Sequence, residues 1–117
     1  MNGQLDTIKH RKTFVRMNET AARFVVSNFI LQMLEDPLIP ASEVRVGYTV
    51  TKKLGNAVVR NRIKRRLREA VKQALPAAKP GRHYVFIARH KALECDFSEL
   101  VREMEFAFSR IKAKQTP

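Results

Sequence analysis

Two hydrophobic periods follow one another along this chain. Between Val44 and Thr51 the pattern alternates strictly, with Val44, Val46, Tyr48 and Val50 on one side and Arg45, Gly47, Thr49 and Thr51 on the other. A period of two is that of a strand with one buried face. Gly47 in its interior marks a bulge that splits the strand or a close approach by another element. Beyond Gly55 the period becomes helical, and Val59, Ile63, Leu67, Ala70, Val71 and Ala74 form one apolar stripe. Asn56 stands where an N-cap is needed, its side-chain carbonyl able to take an N–H of the first turn. Pro76 ends the helix, and Pro80-Gly81 closes the linker behind it.

The flanking segments complete the pattern. Thr13–Met17 reads as a short helix ending near Asn18–Thr20, with Phe14 and Met17 as its apolar edge. Arg23–Val26 runs through Ser27-Asn28 into Phe29–Leu34, one extended segment by length and composition. Glu35-Asp36-Pro37 and Pro40 break it. Tyr84–Ala88 is continuously apolar, as expected of an inner strand covered on both faces. Asp96-Phe97-Ser98-Glu99 has the form of a capping box. It opens a helix whose apolar face is Phe97, Leu100, Val101, Met104, Ala107, Phe108 and Ile111, with Arg110, Lys112 and Lys114 suited to its C-terminus. Residues 1–8 and 113–117 read as frayed ends. The expected order is therefore helix, strand, strand, helix, strand, helix. That is an α/β chain, an α+β two-layer sandwich on one mixed sheet, forming a single domain over residues 1–117.

Charge changes the picture from fold to function. The 117 residues carry a net charge of +12, while 44% apolar content argues against a disordered tail. Residues 44–75 hold ten Lys and Arg against the single acid Glu69, about three quarters of the excess. Steps of about 100° put Asn61, Arg65, Arg68 and Lys72 opposite the apolar stripe, with Lys64 close by. Arg60, Arg62 and Arg66 flank it. Like charges at i,i+4 repel by a few tenths of a kcal/mol each, on the order of 0.2–0.5. A charge run is ordinarily a solvated face, but seven cations to one acid between Arg60 and Lys72 exceed what solubility asks for. The simplest compensation is a polyanion lying along the helix. Arginine suits phosphate because its planar fork meets two oxygens at once. The free N–H groups at Asn56–Arg60 favour an anion as well.

Other chemistries find little support in the residues. No apolar run approaches the roughly 18 residues of a membrane span, and the helix stripe is needed for the core. The opening MNGQLDTIKHRK has no hydrophobic signal region, so export is not expected. Cys95 is the only cysteine, consistent with a reducing cytoplasm, and reads most simply as a small half-buried side chain. His10, His83 and His90 have no metal-ligand spacing with Cys95 or the acids. We expect no catalytic and no metal-ligating residue on the chain itself.

The twenty residues from Val46 to Arg65, VGYTVTKKLGNAVVRNRIKR, strongly resemble the signature of the bacterial ribonuclease P protein subunit. That signature is a strand ending in Ser/Thr-Lys-Lys, then Gly-Asn-Ala-Val, then Arg-Asn-Arg followed by Lys/Arg. The rest of the chain resembles the family in layout. The resemblance implies a protein subunit that pairs with a catalytic RNA, the two together removing the 5′ leader of precursor tRNA with Mg²⁺ held mainly by RNA. It implies that Lys52, Lys53, Asn56, Arg60, Asn61, Arg62, Lys64, Arg65 and Arg68 face the RNA subunit. It further implies that a cleft between the first helix and the sheet takes the single-stranded leader, with Phe14, Lys12, Arg16, Gln32 and Arg89 as its residues. The chain departs from the family at Asn18 and Gln32, where many members carry aromatics, leaving Phe14 and Phe24 for stacking. Phe14 is open to two readings: a core residue, or a platform worth about 1–3 kcal/mol per stacked base. The family also implies a left-handed crossover around the charged helix, against the right-handed rule for parallel strands.

Implied, finally, are a cytoplasmic location, no membrane and no obligate protein partner. Charge alone permits two other classes. One is a structural RNA-binding protein of ribosomal type without processing activity. The other, a DNA-binding module, is disfavoured because base readout needs mixed donors and acceptors where this face offers nearly uniform cations.

Overall fold

A computed structural model describes residues 4–8 and 11–112, with the backbone alone for residues 4–7 and 18–20. The expectation for residues 113–117, the histidine at position 10 and the Asn18 side chain fall outside the described part. The elements in order are β1 (Gln4–Thr7), α1 (Arg11–Thr20), β2 (Ala22–Val25), β3 (Phe29–Glu35), β4 (Glu43–Thr49), α2 (Ala57–Ala74), β5 (Arg82–Ala88) and α3 (Phe97–Arg110). Single 3₁₀ turns at Lys52–Leu54, Leu75–Ala77 and His90–Leu93 join them.

The α+β class and the single mixed sheet hold, with two strands more than the sequence led us to expect. The sheet order is β1-β4-β5-β3-β2. The pairs β1–β4 and β4–β5 are parallel, while β5–β3 and β3–β2 are antiparallel. Gln4–Thr7, expected to fray, adds a parallel edge strand in register with Glu43–Val46. Arg23–Leu34, expected as one extended segment, folds back at Ser27-Asn28 into a hairpin closed by the Val26 N–H to the Phe29 carbonyl at 3.0 Å. Buried Asn28 anchors that turn, its side-chain amide donating to Glu103 on α3 at 2.8 Å. A partner 75 residues away cannot be read locally.

Alternation along the strands separates two cores. Phe29, Leu31, Val44, Val46, Tyr84 and Phe86 point to one face and pack under α2 and α3, where Ile63, Leu67, Val71, Leu100, Met104 and Phe108 are buried. Phe86 meets Phe29, Tyr48 and Phe108, the contacts with Phe29 and Phe108 edge-to-face. The opposite face is covered by α1, which buries Met17 with Ile8, Ala21 and Val85. Central strand β5 is thus covered on both faces, as its composition predicts.

Gly47 does not split β4, which runs unbroken to Thr49. Its role is the close approach: a Cβ built there would lie 2.6 Å from Phe14 Cζ and 2.8 Å from Cε1. The Phe14 ring therefore rests directly on the β4 backbone. At α3 the Asp96 side chain makes no cap hydrogen bond, so the expected capping box is absent and the main-chain Leu100 N–H to Asp96 carbonyl bond opens the helix.

Candidate nucleic-acid interface

The site begins at the N-terminus of α2. Thr51 ends the extended chain, Lys52–Leu54 make a tight turn, and Gly55 takes a positive φ of 146° that only glycine tolerates. Asn56 then caps α2, its Oδ1 accepting the Val59 N–H at 3.0 Å. This places Lys52 and Lys53 on an exposed shoulder beside the first turn. Pinning by Ile63, Leu67, Ala70, Val71 and Ala74, all buried, fixes which side of the helix faces solvent.

That outer side is the cationic ridge expected from the sequence. Asn61, Arg62, Arg65 and Arg68 are exposed, Arg60 and Lys64 half-buried. The side chains of Lys52, Lys53, Asn61, Arg62, Lys64, Arg65 and Arg68 make no hydrogen bond or ion pair among the described residues. Lys72, lower on the ridge, pairs with Glu69 at 3.2 Å. Tyr48 sits near Arg68; burial pushes its hydroxyl up to about 12, and the Arg68 charge opposes the rise. Arg66 is different. Its Nε donates to the Ala92 carbonyl at 3.1 Å and its Nη2 to the Cys95 carbonyl, with Cys95 Sγ 3.6 Å away. It clamps α2 to the turn before α3. Burial raises the Cys95 thiol above its ordinary range, with Arg66 opposing.

The α1 side of the sheet is best seen in rows across the strands. Arg45, His83 and Leu34 form one row, Gly47, Val85 and Gln32 the next, and Thr49, Ile87 and Ile30 a third. The Phe14 ring lies on the second row, and Val85 and Gln32 are only 1% exposed. The third row is half-exposed, with Ile87 packed against the margin of the α1-side core. It forms a shallow, largely apolar floor that no motif marked in the sequence.

Five side chains were expected in this cleft, and they separate. Phe14 is half-buried and borders the floor. Lys12 is exposed on α1. Arg16 is exposed but tethered, with Nη1 3.6 Å from Asp36 Oδ2. Arg89 lies past the opposite end of β5, exposed, with Nη1 donating to the Val26 carbonyl at 2.9 Å. Gln32, buried beneath α1, does not reach the surface; its place in the middle row, set by the β3–β5 register, decides this.

Asp36 organises the far end of the cleft and was read from the sequence only as a turn residue. It does make that turn, accepting the Leu38 N–H at 2.9 Å. It also meets buried His83 Nε2 at 3.1 Å. The Leu38 N–H above all, then His83 and Arg16, hold the Asp36 carboxyl below its ordinary range against the opposing effect of burial. Burial holds His83 below the usual histidine range despite Asp36.

Fold and ridge together describe one kind of molecule: a small mixed-sheet α+β domain whose two parallel inner strands are joined by an arginine-rich helix whose outer face the described residues leave largely unneutralised. The profile of the Ribonuclease P family matches residues 3–112. The chain is 41% identical over 118 residues to the Ribonuclease P protein component of Paramagnetospirillum magneticum, covering 98% of this chain and 89% of that one. It is 34% identical over 103 residues to the Ribonuclease P protein component of Bacillus velezensis, covering 88% and 86%. The RNase P protein of Staphylococcus aureus superposes with a TM-score of 0.72 at 29% identity, over 86% of this chain and 89% of that chain. The Thermotoga maritima RNase P protein shares the fold, with a TM-score of 0.79 at 21% identity over 92% and 99%. The chain belongs to the Ribonuclease P protein component family.

Proposed function

We propose that this chain is the protein subunit of a ribonuclease P, binding a catalytic RNA along α2 and assisting removal of the 5′ leader from precursor tRNA. The observation that carries this is the ridge of Lys52, Lys53, Arg60, Asn61, Arg62, Lys64, Arg65 and Arg68. Glu35 pairs with Arg82 at 2.9 Å and Glu43 with Arg45 at 3.2 Å, whereas along this ridge a whole face of like charge is left open. Folded RNA is the polyanion that this face fits, because its phosphates can be matched at many points along a helix about 27 Å long.

The leader lies across the Thr49–Ile87–Ile30 floor, with Phe14 stacking a base and Lys12 and Arg89 at the margins. Phe14 fills both roles weighed in the sequence, its inner edge packed on Gly47 and its outer part available. Gln32 acts from below, as part of the buried layer that sets the floor. Hydrolysis belongs to the RNA, with Mg²⁺ held mainly there. The donor set of this chain supports that division, since the one carboxylate on its cationic ridge, Glu69, is paired with Lys72 at 3.2 Å. What the protein contributes is electrostatic relief between RNA strands and positioning of the precursor.

The test is reconstitution with the cognate RNA subunit. Leader removal should proceed at lower Mg²⁺ with the protein than without it. An unchanged Mg²⁺ requirement and unchanged precursor affinity would overturn the assignment.

A further inference from the structure

At the end of the sheet where β4 and β5 both finish, an open pocket of about 500 Å³ is lined by Ser27, Thr51, Lys53, Leu54, Ala88, Arg89, His90 and Lys91. Three separate segments converge on it: the β2–β3 turn, the turn before α2, and the turn after β5. Each is fixed by main-chain bonds. The Arg89 N–H donates to the Asn28 carbonyl at 3.1 Å, the Leu54 N–H to the Thr51 carbonyl at 3.1 Å, and the Ala92 N–H to the Arg89 carbonyl at 3.0 Å. The pocket is therefore a built feature of the fold rather than a gap between loose ends.

Its chemistry is one-sided. Lys53, Arg89, His90 and Lys91 line it with two hydroxyls, and no carboxylate does. Arg89 is held by the Val26 carbonyl, while Lys53, His90 and Lys91 make no side-chain hydrogen bond or ion pair among the described residues. We infer that this pocket is a phosphate subsite that takes one backbone phosphodiester of an RNA strand passing between the α1-side floor and the α2 ridge, with His90 and Lys91 as ligands outside both surfaces already described. This rests on the proposed function for the identity of the RNA. Position supports it: Thr49 and Ile87 of the floor lead directly into Thr51 and Arg89 of the pocket rim, and Lys53 adjoins the start of α2. A strand crossing from one surface to the other must turn its backbone here. Ammonium, imidazole N–H and hydroxyl groups suit a phosphate oxygen, and a base would find no Phe, Tyr or Trp ring to stack on.

The test uses the full chain and a short single-stranded RNA, with affinity measured across a range of KCl. For H90A/K91A the slope of log affinity against log salt should fall by about 0.7, the value of one single-strand phosphate. K79A/K112A, which removes two cations outside the pocket, should leave the slope unchanged. Inorganic phosphate at matched ionic strength should perturb the His90 ring resonances only at far higher concentration than the oligonucleotide does. Circular dichroism checks that the variants fold. A wild-type slope in H90A/K91A, or an equal loss in K79A/K112A, overturns the subsite. So does equal potency of free phosphate. If the slope falls as expected while reconstitution leaves both the Mg²⁺ requirement and the precursor affinity untouched, the subsite stands and the ribonuclease P assignment fails. A wild-type slope with a lowered Mg²⁺ requirement removes the subsite and leaves that assignment standing.

Discussion

Arg65 and Arg66 are adjacent and chemically identical, yet the structure gives them opposite work. Arg65 is exposed on the ridge, and its side chain makes no hydrogen bond or ion pair with the described residues. Arg66 reaches the Ala92 and Cys95 carbonyls, 26 and 29 residues away, and ties α2 to the entry of α3. A hydrogen bond with one charged partner contributes about 1.5–3 kcal/mol net. Two bonds sharing one partly solvated guanidinium add less than their sum, so Arg66→Ala should cost about 2–4 kcal/mol. Against a total stability on the order of 5–15 kcal/mol that is a large fraction. For a domain of this size the thermal midpoint should fall by roughly 8–16 °C.

Arg66→Lys keeps the charge but loses the fork, and should recover little of that stability. Arg65→Ala should hold its stability within the ±0.5 kcal/mol or so usual for surface changes. Its loss should appear in RNA affinity, with the salt slope reduced by about one. Thermal melts by circular dichroism and filter binding across a salt series read the two effects separately. If Arg66→Ala melts within about 2 °C of wild type, less than the shift expected from 1 kcal/mol, the clamp is not structural. If Arg65→Ala destabilises as much as Arg66→Ala, the division of labour on α2 is wrong.

Further expectations follow from the same contacts. Gly47→Ala places a methyl group against the Phe14 ring, so α1 must shift; overpacking of this kind costs about 1–3 kcal/mol, and leader affinity should drop with it while RNA-subunit affinity stays near wild type. Asn56→Ala removes the α2 cap and should cost about 1 kcal/mol in urea unfolding, whereas Asn56→Asp should keep that stability and weaken RNA binding through its added negative charge. Because burial lowers His83 in the folded state, stability is fully present above the ordinary histidine value of about 6.5 and is lost as pH falls below it; Asp36, also lowered, adds a loss in the same direction at more acid pH. His83→Gln should flatten the decline in urea midpoint between about pH 7 and pH 5, and an unchanged pH profile would assign that decline to other groups.

The ridge, the strand before it and the cap between them were all legible in the residues alone. Each of these is local: a period of 3.6 or 2, a glycine, and an asparagine that bonds three residues ahead. The resemblance at Val46–Arg65 lies wholly within that local stretch. Whatever depends on partners distant along the chain emerged only with the packed molecule. Ser27-Asn28 became a hairpin through Glu103, and Gln4–Thr7 became a strand because β4 had an open edge. Arg66 was indistinguishable from its neighbours until the turn before α3 supplied its acceptors. Gln32 left the surface because strand register places it in the row beneath α1. The reason is common to all four. A side chain's periodicity fixes the side of its own element on which it lies, but what lies opposite is set by packing between elements, which no local pattern encodes.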